Sequence, residues 1–148
     1  MHVEDKDLVD TLSGRVDAPL AAAVYARMDT ALSPARWLGP LGNYLVARPA
    51  ARSAAKDATE RTEMPLDAAV VLGVAPDALH VWSADPMLSQ VHDHLGSVPL
   101  ARVARLSMEV GKSWSDLHLD FADGESVTLQ ARGDVRGLVA AFDRERTP

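Results

Sequence analysis

The segment VHDHLG places His92 and His94 two residues apart, with Asp93 between them and Asp85 seven residues before His92. Two imidazoles and a carboxylate form a ligand set for a divalent metal, because neutral imidazole nitrogen and carboxylate oxygen both donate to zinc and its neighbours. On a strand, positions i and i+2 share a face, so this spacing suits one side of an extended segment. The chain has no His-Glu-x-x-His, no second His pair and no general base beside these residues. The competing reading of VHDHLG is a polar loop between two strands. A second group is cationic. Arg48, Arg52 and Lys56 are spaced by four and line one stripe if residues 48–60 are helical, with Arg36 near its start. Such a stripe suits an acidic partner surface or anionic lipid headgroups, at about 1 kcal/mol per cation. A solvated helix face accounts for it as well. Glu60 follows Lys56 by four, and Ala50, Ala51, Ala54, Ala55 and Ala58 offer little apolar area for insertion.

The remaining reactive residue types lack company. His80 and His118 alternate onto the less apolar faces of their segments, where half-exposed histidines are ordinary. No Gly-x-Ser-x-Gly surrounds a serine, and no glycine-rich turn links a strand to a helix as a phosphate cradle does. The Arg132-Gly133-Asp134 tripeptide reads as a turn whose Asp caps the last helix. The chain contains no Cys, which removes disulfides, thiolate nucleophiles and cysteine-held metals together. No cofactor is implied, and an enzyme is the less expected reading.

These residues must be positioned by recognisable elements. Asp17 is expected to cap a helix whose first turn accepts Pro19, with Leu20, Val24, Met28 and Leu32 at spacings of four and Ser33-Pro34 ending it. ARWLGPLGNYLVARP reads as a folded-back connection with Trp37 and Tyr44 as buried anchors, and PAARSAAKDATE as a further helix. Residues 66–131 read as β structure. In AAVVLGV both parities are apolar, the sign of a strand covered on both faces, and Pro76-Asp77 turns it into ALHVWSA as a hairpin. GSVPLARV carries a proline that fits an edge or a bulge. RLSMEV predicts Leu106, Met108 and Val110 inward, and the next strand Leu117, Leu119 and Phe121 inward before the Asp123-Gly124 turn. The return strand carries Val127, Leu129 and Ala131 to the same side. Val135, Leu138, Val139 and Phe142 then form the apolar stripe of a closing helix.

Antiparallel strands followed by one amphipathic helix are the element order of pleckstrin-homology-like (PH-like) domains, and the segments resemble theirs in turn. VVLGVAPDALHVWS resembles the hairpin of bacterial PH-like proteins, LGSVPLARVARLSMEVG their later strand, connection and strand, and LHLDFADGESVTLQA their closing hairpin. The resemblance covers roughly residues 66–146. It implies seven strands before the helix. Six are readable with PLARV included, so the first is expected from NYLVAR or is missing. Phosphoinositide-binding members carry basic residues around the first hairpin, and residues 66–82 contain none, so the resemblance does not extend to that headgroup.

Composition bounds the rest. A chain of 148 residues is about one domain long and buries about 68–70% of its unfolded surface, enough for a core without staples. A net charge of -6 disfavours nucleic acid, whose binding depends on a basic footprint. The acidic MHVEDKDLVD is unlike a signal peptide and no apolar run reaches membrane-spanning length, so a cytoplasmic protein is expected. Residue usage, with arginine favoured over lysine, suits a GC-rich bacterial genome. The expectation is thus an α+β protein: an N-terminal helical arm over residues 1–62, then an antiparallel PH-like bent sheet or barrel over residues 63–148 closed by a C-terminal helix, the two forming one unit. Its expected role is a non-enzymatic binding or scaffolding module. It would engage a protein partner, itself in a homodimer, or an anionic membrane surface weakly, through Arg36, Arg48, Arg52 and Lys56. The alternative is a small metal-dependent enzyme or metal-binding protein using His92 and His94 with Asp85 or Asp93.

Overall fold

The computed structural model describes residues 9–14, 19–28, 53–85 and 90–146. They form helix α1 (9–14), strand β1 (Ala22–Met28), helix α2 (53–62), strands β2 (Ala69–Val74), β3 (Ala78–Ala84) and β4 (Val91–Pro99), and a 3-10 turn at Leu100–Arg102. Strands β5 (Val103–Glu109), β6 (Ser115–Phe121) and β7 (Ser126–Arg132) and helix α3 (Val135–Arg146) follow. The fold is α+β. All seven strands pair antiparallel in one sheet of order β4-β3-β2-β1-β7-β6-β5. The two edge strands β4 and β5 are joined by only the 3-10 turn, so the sheet curls until its ends meet at that corner. It does not close, since β4 and β5 exchange no ladder among the described residues.

The largest departure from expectation is at Ala22–Met28. A helix over residues 17–32 was expected there, within a helical arm; the segment is instead the central strand of the sheet, paired with β2 through Val24↔Leu72 and with β7 through Ala26↔Ala131. The physical reason lies in the spacing. Val24 and Met28 are four apart, a multiple of two as well as close to 3.6, so the pattern fits either element. The intervening residues decide it: Ala22, Val24, Ala26 and Met28 are all buried against the main core, while Ala23 packs on the opposite face and Arg27 is exposed. Tertiary pairing overrides the helix preference of alanine. The described residues thus hold seven strands, the first of them at Ala22–Met28, and NYLVAR lies outside the described residues.

The hairpin of β2 and β3 forms as read, turning at Pro76-Asp77 with the Ala75 amide donating to the Ala78 carbonyl at 2.9 Å, and β2 is buried along its whole length. Leu117, Leu119, Phe121, Val127, Leu129 and Ala131 all face the main core. Val135, Leu138 and Phe142 of α3 close over it, and Asp134 caps that helix by accepting from the Gly137 amide at 3.1 Å. Val110, expected inward, is 65% exposed, because β5 ends at Glu109 and the chain leaves the sheet there. The alanines of α2 serve the core: Ala55 and Ala58 are buried, and Arg61 beside them reaches Glu125 and the Ser126 carbonyl of the β6–β7 hairpin. Among the described residues no helix is long and apolar enough to cross a membrane.

Candidate functional site

Strand parity gives the sheet two faces. The inner one carries the main core under α2 and α3. On the outer face one row crosses neighbouring strands: Arg132 of β7, Tyr25 of β1, Val71 of β2, Trp82 of β3 and His94 of β4 are successive cross-strand partners. The middle of this row is dry. Val71 and Trp82 pack with Leu12 of α1, Leu20, Ala23 and Ala75 in a second apolar cluster, where Trp82 is 1% exposed. The two ends of the row are where polar chemistry gathers.

At the β7 end, Trp114 stands just before β6. The guanidinium carbon of Arg27 lies 3.8 Å from the centre of its ring, and that of Arg132 lies 5.9 Å from it and 5.7 Å from the Tyr25 ring. Arg27 Nε also donates to Gln130 Oε1 at 3.0 Å. Both arginines are exposed and both rings half-buried. The β5–β6 connection sets Trp114 in place through Gly111, where a Cβ would run into the Trp114 carbonyl oxygen, so only glycine lets the loop close so tightly. Exposed Val110 and Lys112 lie in the same loop. Asp116 and Glu109 continue the outer-face row of Arg27 and Gln130 across β6 and β5, so two carboxylates share this end of the face with the two arginines. A guanidinium stacked on an indole is held extended, with its N–H edge directed away from the ring to meet a carboxylate or phosphate.

At the β4 end, His80, Trp82 and His94 form a three-ring cluster with centroids 5.2 to 5.7 Å apart, and His80 Nδ1 lies 3.0 Å from His94 Nε2. A register shift makes this contact. Val81 pairs with Gly96 and Trp82 with His94, leaving Leu95 as an extra residue that turns His94 onto the outer face. Gly96, at φ 151°, holds a conformation that a side chain would strain, and a Cβ there would meet the Pro65 ring at 3.0 Å. Burial holds the pKa of His80 below its ordinary value; the charge of His94 acts the same way, while Asp77 opposes them. Trp82 Nε1 is a buried donor with no acceptor among the described residues.

The residues expected from sequence fall as follows. His92 and His94 lie on β4, an edge strand and not a loop. A second register shift separates them: Val91 and His94, three apart, face Ala84 and Trp82, which are two apart, so period-two parity does not carry from His92 to His94. Asp85 Oδ1 accepts from the Gln90 amide at 2.7 Å, and His94 meets His80. Among the described residues no three His, Asp or Glu side chains group as metal ligands do. Lys56 is exposed on α2, and Arg36, Arg48 and Arg52 lie outside the described residues. His118 Nδ1 contacts Thr128 Oγ1 at 2.9 Å. Sequence reading passed over Arg27 and Trp114 and took Arg132 only as part of a turn. The signal available for them was the outward parity of Arg132 opposite Ala131; Arg27 was hidden by the helix assigned to its segment. The chain matches no family model and no curated protein.

Proposed function

We propose that the chain is a non-enzymatic, PH-like binding module that engages an acidic segment of a protein partner through Arg27, Arg132 and Trp114. The PH-like part is supported by seven antiparallel strands in a single curled sheet followed by a packed C-terminal helix. The observation that carries the binding role is the 3.8 Å stack of Arg27 on Trp114 with Arg132 beside the same ring. In a chain of net charge -6, two exposed guanidiniums gathered at one aromatic concentrate positive charge at this end of the outer face, which favours an acidic partner. Holding both forks against rings before binding lowers the entropy lost when a carboxylate pairs with them. A protein segment is favoured over a lipid surface because Val110 is the one strongly exposed large apolar residue described near the patch, too little for insertion into a bilayer.

The test is fluorescence anisotropy of a labelled peptide of alternating Glu and Phe at low and moderate salt. Binding that falls at least tenfold in Arg27→Gln/Arg132→Gln and in Trp114→Ala, and weakens with salt, is the expected result. No saturable binding, or binding indifferent to these substitutions, refutes the site. Co-sedimentation with phosphatidylserine vesicles that depends on the same residues, without peptide binding, would move the assignment to a membrane.

A further inference from the structure

We propose that His80 and His94 form a cross-strand chelate for a divalent transition-metal ion of tetragonal preference, Cu²⁺ in the first instance, on the outer face of the β3–β4 hairpin. The two nitrogens already face each other at 3.0 Å, one from the edge strand β4 and one from β3 beside it. With metal–nitrogen bonds of about 2.0–2.1 Å, this separation subtends about 94° at the ion, whereas a tetrahedral angle needs about 3.3–3.4 Å. An angle near 90° is the cis angle of square-planar and tetragonal sites with nitrogen and oxygen ligands, the geometry of Cu²⁺ and Ni²⁺. The ring centroids stand 5.2 Å apart with planes at 43°, so a turn of the exposed His94 ring brings both lone pairs onto a common point off the line between the nitrogens. Water completes the coordination.

The protons balance without release when both rings are neutral. In the hydrogen-bonded pair one ring carries its N–H at the contact; on binding, that ring moves the proton to its outer nitrogen, and both inner nitrogens donate to the metal. Protons compete with the ion at lower pH. The site differs from a pairing of His92 with His94: it is built by the bulge at Leu95, which joins His94 to a residue fourteen positions earlier.

The test is a titration of the full chain with CuCl2 against a glycine competitor, in a His2→Ala background so that the N-terminal amine and its neighbouring histidine cannot hold the ion. Trp82, with its ring 5.3 and 5.7 Å from the two imidazoles, reports binding through quenching of its emission. One equivalent is expected, with affinity falling at least tenfold in both His80→Ala and His94→Ala and unchanged in His92→Ala. His94→Gln, which keeps a hydrogen-bonding side chain at the position, is expected to fold normally and lose the site. Electron paramagnetic resonance is expected to show two coupled nitrogens. Equal affinity in the parent, His80→Ala and His94→Gln, or no saturation below millimolar Cu²⁺, would overturn the proposal.

Discussion

Replacing Leu12 by alanine tests whether helix α1 seals the outer face. Leu12 is fully buried and packs with Leu20, Val71 and Trp82 in the cluster that lies across the sheet from the main core. The substitution removes three carbons, worth about 0.8 kcal/mol each in transfer, or about 2.4 kcal/mol. A cavity term adds to this, and Leu→Ala costs in rigid cores run from about 2 to 5 kcal/mol. The expected cost is about 3 kcal/mol. For a chain of this size that corresponds to a fall in Tm of about 6–12 °C. Urea unfolding measures the loss. With Trp37→Phe and Trp114→Phe as background, the emission of Trp82 measures its shielding, and a shift to longer wavelength is expected in Leu12→Ala. A cost below about 1 kcal/mol with unchanged Trp82 emission would refute the reasoning, because it would mean that α1 contributes little to the burial of the indole.

Two further outcomes follow from the cap and the histidine pair. Asp134→Ala removes the acceptor of the Gly137 amide at the start of α3 and is expected to cost about 1 kcal/mol by urea unfolding at unchanged m-value, with Asp134→Asn recovering most of it. The pKa of His80 is lower in the folded chain than its ordinary 6.5, so its contribution to stability is fully present above that value and is lost as pH falls from 6.5 toward the folded pKa. Unfolding free energies of the parent and of His80→Gln, measured with chelator between pH 5 and 8, are expected to diverge in slope below pH 6.5 in that direction; parallel curves would contradict it.

Much of the β architecture was legible because its signals are local. Continuous apolar residues in β2 require cover on both faces, and strict alternation in β6 and β7 fixes which side chains meet the core. The Asp134 cap and the stripe of Val135, Leu138 and Phe142 specify α3 from within a dozen residues. The sequence alone likewise determined that thiol and disulfide chemistry is absent, since the chain has no Cys.

Tertiary structure decided what depends on partners distant in the chain. Ala22–Met28 carries an apolar spacing that satisfies a helix and a strand alike, and only the ladders offered by β2 and β7 make the extended form the one that buries Ala22, Val24, Ala26 and Met28 together. That choice sets Arg27 over Trp114, 87 positions later, a contact no local pattern encodes. The histidines show the same division. Their types and positions are plain in the sequence, yet the face each one takes depends on register, and register between β3 and β4 is reset by one extra residue at Leu95, held by the unusual backbone of Gly96 against Pro65. Because the side-chain period of a strand is two, a single inserted residue exchanges one face for the other. Hence His94 meets His80 through the fold, while the sequence could only set it beside His92.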